Sequence, residues 1–106
     1  MKALATQTLK LGTHRGNRRI WLDHSEFLTS SGFHPGQQYT AVFSEHAMRL
    51  KIDPHGKTKV SKKTKGGKLH PIIDLNNAKI GAMFPDAEQI VVEYRRNEIL
   101  MKAVQR

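Results

Sequence analysis

Residues 61–74 read Ser61-Lys62-Lys63-Thr64-Lys65-Gly66-Gly67-Lys68-Leu69-His70-Pro71-Ile72-Ile73-Asp74. Residues 10–23 read Lys10-Leu11-Gly12-Thr13-His14-Arg15-Gly16-Asn17-Arg18-Arg19-Ile20-Trp21-Leu22-Asp23. Offset by 51 positions, both give an acid-free basic segment with a glycine turn, then a short apolar run and an aspartate. The same offset puts Phe33 on Phe84, Gln38 on Gln89, Phe43 on Tyr94 and Met48-Arg49-Leu50-Lys51 on Ile99-Leu100-Met101-Lys102. A repeat of this length decides the fold before any single element does. It predicts one compact domain of two units, at about 6–53 and 57–104, joined by the turn Asp53-Pro54-His55-Gly56.

Each unit reads as hairpin, short helix, hairpin. In the first, residues 6–11 alternate polar and apolar, 12–17 form a turn with positive φ expected at Gly16-Asn17, and 18–22 return as a strand. The second copy places strands at 59–63 and 69–73 around a turn at 64–68, with Pro71 at a strand start or an edge. Asp23 with Glu26 three residues on has a capping-box spacing before Phe27-Leu28, and Gly32 is suited to end that helix in a left-handed conformation. Asp74 is the matching cap, with Leu75, Ala78 and Ile80 on the inner face of the second helix. Tyr39, Ala41 and Phe43 are answered by Met48, Leu50 and Ile52 across a turn; Ile90, Val92 and Tyr94 are answered by Ile99, Met101 and Ala103. A unit of some fifty residues buries too little apolar surface to stand alone. The expected fold is therefore mainly β with two short helices, the two units packing as a single-chain pseudo-dimer around a small barrel-like core.

Charge is concentrated rather than scattered. The chain has 106 residues and a formal net charge of +9, and residues 10–19 and 57–68 carry ten of its 18 lysines and arginines. This points to a polyanion, nucleic acid before a membrane surface, and the plain alternative is a solvated lysine face. No cysteine is present, which excludes disulfides and thiolate metal sites. No apolar run is long enough to span a bilayer, and the N-terminus lacks a signal-peptide core, so a cytoplasmic, nucleoid-associated location is expected.

The candidate phosphate contacts are Arg15, Arg18, Arg19, Lys62, Lys63, Lys65 and Lys68 on the basic hairpins, with Arg49 and Lys51 as weaker candidates on the outer face of the 38–52 hairpin. Few aromatics lie among the lysines, and Trp21, between Ile20 and Leu22, reads as a core or rim residue rather than a stacking platform. The six histidines have no helical metal-ligand spacing, so neither metal nor other cofactor is expected. No nucleophile motif, phosphate loop or carboxylate cluster suggests an enzyme. His14 and His70 beside lysines are the only groups on which a ribonuclease reading rests.

Arg19-Ile20-Trp21-Leu22, Phe27-Leu28, Gly32-Phe33-x-x-Gly36, Tyr39-x-x-Val42-Phe43 and Met48-x-Leu50 together resemble the AbrB/SpoVT swapped-hairpin superfamily, and within it the SymE-type toxin-like proteins. The second half departs from the pattern, with Met83-Phe84 for Gly-Phe and Ala87 where Gly36 stands. The resemblance implies interleaved hairpins, here within one chain, as a pseudo-dimeric monomer or a homodimer. It also implies nucleic-acid binding with Arg18, Arg19 and Arg15 on phosphates. The expectation is a nucleic-acid-binding protein with modest sequence preference, DNA before RNA, acting as a regulator or toxin-like factor. The rivals are a phage or mobile-element protein that binds a host nucleic-acid enzyme through the same basic face, and a ribonuclease toxin.

Overall fold

A computed structural model describes residues 3–104, with the side chain of His14 outside that description. Its order is β1 (Ala5–Lys10), β2 (Gly12–His14), β3 (Asn17–Leu22), α1 (Ser25–Ser30), β4 (Gln38–Phe43), β5 (Met48–Ile52), β6 (Thr58–Lys59), β7 (Ser61–Lys65), β8 (Lys68–Leu75), α2 (Ala78–Met83), β9 (Gln89–Arg95) and β10 (Glu98–Ala103). The protein is mainly β, with antiparallel sheets and two short helices. One sheet runs β1-β9-β10-β5-β4-β6 and the other β2-β3-β8-β7.

The apolar alternation sets the two long hairpins. Tyr39 faces Ile52, Ala41 faces Leu50 and Phe43 faces Met48; Ile90 faces Ala103, Val92 faces Met101 and Tyr94 faces Ile99. The hairpins join through β5 and β10, where Arg49 lies opposite Leu100. In the smaller sheet β3 meets β8, with Leu22 opposite Ile73. Both pairs lie 51 residues apart. The edge strands cross over: β1 lies on β9, and β6, from the second half, lies on β4. The helices cross too, with α1 beside β8 and α2 beside β3. Ile20, Leu22, Leu28, Phe33, Ile73, Ile80, Phe84, Ile90, Tyr94 and Ile99 fill the core between the sheets and under the helices.

Several expectations change. The sheets are not closed, so the barrel-like core is absent: β1 and β6 end one sheet, β2 and β7 the other. Residues 6–11 do not pair with 18–22. The chain leaves the larger sheet at Leu11, whose N–H bonds Glu88, and only Gly12–His14 returns to β3. Strand alternation names a buried face but not a partner, and β9 offered a longer ladder. The positive φ at the first turn falls on Arg15 and Gly16 rather than Gly16 and Asn17. In the second, Gly66-Gly67 alone make the turn, at φ 60° and 77°. Pro71 lies inside β8, on a length paired with β7 but beyond the end of the β3 ladder.

The caps also shift. His24, not Asp23, caps α1, its side chain accepting from the Phe27 N–H, and Asn77, not Asp74, caps α2. Asp74 stays in β8, which runs two residues past the position matching Leu22, so Leu75 is a strand residue. Gly32 ends the first helix at φ 94°; a side chain there would meet Ile52 Cδ1 at 2.7 Å. The second helix has no such glycine and runs directly into Phe84 as its C-cap.

The joining turn is tied down rather than loose. The Asp53 carboxylate accepts from the His55 N–H and the Thr40 hydroxyl, and these bonds hold its pKa below the usual carboxylate value. Gly56 packs against the backbone of Tyr39, leaving no room for a Cβ. Gly56→Ala therefore loses about 1–3 kcal/mol, measured by urea unfolding. Gly12→Ala, whose Cβ would stand 3.9 Å from its nearest neighbours, is neutral or slightly stabilising.

Burial pushes Tyr39 up to about 12. It raises Tyr94 as well, with Asp23 adding to it, while the Tyr94 hydroxyl donates to Gln7 Oε1 at 2.8 Å. A phenol is neutral when protonated, and in the unfolded chain it ionises near pH ~10. The folded chain thus holds the proton longer, and this stability, full below pH ~10, is lost as pH rises toward the raised value. Absorbance titration of the folded protein should show no tyrosinate near pH ~10, and Tyr39→Phe should make the alkaline fall in stability shallower.

Candidate nucleic-acid interface

The smaller sheet brings the two basic segments together, because β2-β3 carries residues 12–22 and β8-β7 carries residues 61–75. Its register sorts their side chains by face. Trp21 is opposite Asp74, Ser61 opposite Ile72, Lys63 opposite His70 and Lys65 opposite Lys68. Directly paired and alternate residues share a face. Arg19, Trp21, Lys63, Lys65, Lys68, His70 and Asp74 therefore share the outward face, as does Ile72, which is buried there. Ile20, Leu22, Ile73 and Leu75 occupy the other face and are buried.

Trp21 is 40% exposed, so of the expected core or rim positions the core is excluded. With Ile20 at 1% and Leu22 at 0%, alternation leaves the residue between them on the outside. The Arg19 guanidinium lies over the indole, 4.6 Å from the ring centroid. That guanidinium is held by the Asp74 carboxylate through Nε at 2.9 Å and Nη2 at 2.8 Å, a bidentate pairing that raises the Arg19 pKa above its usual value. Beside the ring is a cavity of about 250 Å³ bordered by Trp21, Asp23, Ser25, Lys63, Lys65 and His70. The Ser25 hydroxyl and His70 Nδ1 are hydrogen-bonded at 2.8 Å across its wall.

The nine residues singled out from the sequence do not form one cluster. Lys63, Lys65 and Lys68 are exposed on the outward face, and among the described residues none of them is in an ion pair. Arg19 shares the face but is engaged by Asp74. Lys62 points the other way, beside Leu69 and Pro35. Arg18 turns inward toward α2, its Cγ 3.7 Å from the place a Gly81 Cβ would take, and its Nε and Nη2 are buried without a hydrogen-bond partner. Arg15 stands at the tip of the β2–β3 turn. The β7–β8 turn points to the opposite end of the sheet, because β3 and β8 run antiparallel and meet at their far ends. Arg49 and Lys51 belong to the larger sheet, where Arg49 Nε bonds Glu98 Oε1 at 3.0 Å. His14's side chain lies outside the described residues.

Sequence reasoning names His70 beside the lysines but not Ser25 or Asp23 with them, and it places Trp21 at the core or rim. The signal for Trp21 was its place between two core residues. Nothing in the sequence set β3 against β8, on which the rest depends. Among the described residues no group of three histidine or acidic side chains is placed to hold a metal, and no helix is long and apolar enough to cross a membrane. No family model, no curated protein and no solved structure matches the chain.

Trp21 is the chain's single tryptophan, so its emission reports this face alone. Asp74→Ala should release Arg19, shift the Trp21 emission and lower its fluorescence anisotropy. Glu98→Ala, which breaks the Arg49 pair on the other sheet, should leave both at their wild-type values.

Proposed function

We propose that the chain binds nucleic acid through the outward face of the β2-β3-β8-β7 sheet, with Lys63, Lys65 and Lys68 meeting phosphates. The observation that carries this is a shared face: Lys63, Lys65 and Lys68 of the β7–β8 hairpin, in no ion pair among the described residues, lie on the face to which β3 of the other basic segment brings Arg19 and Trp21. A merely solvated lysine strand needs no such convergence. Arg19 contributes less charge than the sequence suggests, since Asp74 offsets it at contact distance. Arg15, at the far end of the same sheet, extends the positive surface.

The fold is read in the same terms, as an internally duplicated chain whose two hairpin–helix–hairpin units interleave to give a pseudo-dimer. Two ladders support this. Leu22–Ile73 and Arg49–Leu100 each pair positions one repeat apart, so exchanging the halves maps each of these two pairs onto itself. The crossed edge strands, and the burial of Phe33 and Phe84 at matching positions, point the same way. The resemblance to the AbrB/SpoVT group agrees with such an interleaved, nucleic-acid-binding unit.

Binding carried by phosphates weakens with salt, the slope of log affinity against log salt being about −0.7 to −0.9 per phosphate neutralised. Labelled duplex DNA, single-stranded DNA and structured RNA should be titrated by fluorescence anisotropy at several salt concentrations. The expected result is salt-sensitive binding to at least one of them. Lys63→Ala, Lys65→Ala and Lys68→Ala should each weaken binding and reduce the slope by about 1, whereas Lys62→Ala changes it less. Salt-independent affinity, or no binding to any of the three, refutes the proposal and turns the basic face toward a protein partner.

A further inference from the structure

Trp21 stands out on this face because nothing in the folding of β3 requires it there. A threonine or valine at that position would suit the strand and leave less apolar surface in water. The ring is nonetheless held in place. Arg19 covers it at 4.6 Å, and Arg19 is itself fixed by two hydrogen bonds to Asp74. A ring already ordered loses little freedom when something stacks on it. Next to it the cavity of about 250 Å³ falls just short of the roughly 300 Å³ lower end for drug-sized ligands. It suits one planar ring rather than a larger molecule. Lys63 and Lys65 border that cavity, so any ring entering it comes within reach of two ammonium groups.

Planar ring and adjacent negative charge belong together in a nucleotide. In a duplex each base has both faces covered by its neighbours and offers only its edge in a groove. An indole lying on a sheet face has no use for such an edge, but it can stack on a base that is unpaired. We propose that this face binds single-stranded nucleic acid, one unpaired base stacking at Trp21 while Lys63 and Lys65 take the flanking phosphates. This rests on the nucleic-acid binding proposed above and names the form of nucleic acid bound. Stacking is tolerant of sequence, since every base has a π face. Any preference among bases comes from the polar groups at the cavity, the Asp23 carboxylate and the bonded Ser25–His70 pair.

The test follows Trp21 emission and, separately, the anisotropy of labelled oligomers. The full chain is titrated with oligo(dT), oligo(U), a DNA duplex and an abasic deoxyribose-phosphate strand. Both readouts should respond to a single strand and saturate together. The duplex should bind more weakly than a single strand, and the abasic strand should bind without quenching. Oligo(dU), which differs from oligo(U) in the sugar alone, is added, and the tighter of those two identifies the sugar; either result supports the proposal. Trp21→Leu should lower single-strand affinity about 5- to 150-fold, Trp21→Phe should restore most of it, and neither should change the salt slope. Because position 21 is exposed, both variants should unfold at the wild-type temperature. Single strands that bind with Trp21 emission unchanged and no loss in Trp21→Leu overturn the stacking site and leave nucleic-acid binding standing. A duplex bound as tightly as a single strand, with equal quenching, overturns the single-strand preference. No binding to any probe overturns the underlying function as well.

Discussion

The antiparallel pairing of β3 with β8 is the contact on which the molecule depends. It is short, with Ile20, Trp21 and Leu22 against Leu75, Asp74 and Ile73, yet it settles three matters together. It turns Ile20, Leu22, Ile73 and Leu75 inward, where they join the residues of the larger sheet. It puts the two basic hairpins side by side. And it fixes which side chains share the outer face, because a slip of one residue would send Trp21 and Asp74 into the core and expose the isoleucines. Each half alone would leave this edge open and its apolar face wet. The fold is thus held by what one half supplies to the other, in strands and in helices alike.

Much of this was legible, and the limits have physical causes. The long hairpins follow from strict alternation of large apolar residues, and their registers match it pair for pair. Gly32 is local, and local chemistry predicted its left-handed backbone, while the expected turn at 64–68 narrows to Gly66-Gly67 because Lys65 still pairs with Lys68. What failed required knowledge of partners. β1 has the pattern of a hairpin strand, but the pattern is equally satisfied by β9. Asp23 and Asp74 have the composition of helix caps, but in β8 the strand continues to Leu75 because β3 lies beside it, and Asp74 is drawn to Arg19 instead. The cap then passes to Asn77. For Trp21 the core and the rim stay open until the burial of Ile20 and Leu22 fixes the alternation and leaves the indole outside.

The lysines of β7 answer two demands at once. The strand is an outer edge with every residue exposed, and it has an unpaired row of backbone groups on one side. Lysines on such an edge discourage pairing with another chain. They also repel one another, and Lys63, Lys65 and Lys68 lie on one face with no carboxylate bonded to them among the described residues. A hairpin so charged is held to the molecule by β8 and by Val60, which is buried at the crossing between the sheets and bonds Gln37 and Gly36 through its backbone. Edge protection accounts for lysine in β7. It does not account for a tryptophan two strands away on the same face.

Asp74 is the residue that makes sense of that arrangement. A carboxylate in a cationic face works against the attraction of an anion: two unit charges at ~4 Å interact by about 1 kcal/mol even in bulk water. If charge alone mattered, Arg19 would serve better unpaired. Paired, it becomes a plate of fixed orientation, since both hydrogen bonds lie in the guanidinium plane, and the plate holds one face of the indole. The exchange is long-range attraction for local order. Such an exchange favours a partner recognised by a ring at short range over one recognised by its charge density at long range. Lys63, Lys65 and Lys68 supply the positive charge that remains, and Lys63 and Lys65 border the cavity beside Trp21. Free charge and an ordered ring are thereby divided between the two halves of the chain: the lysines come from the second, the tryptophan and its arginine from the first, and the carboxylate that orders them crosses between.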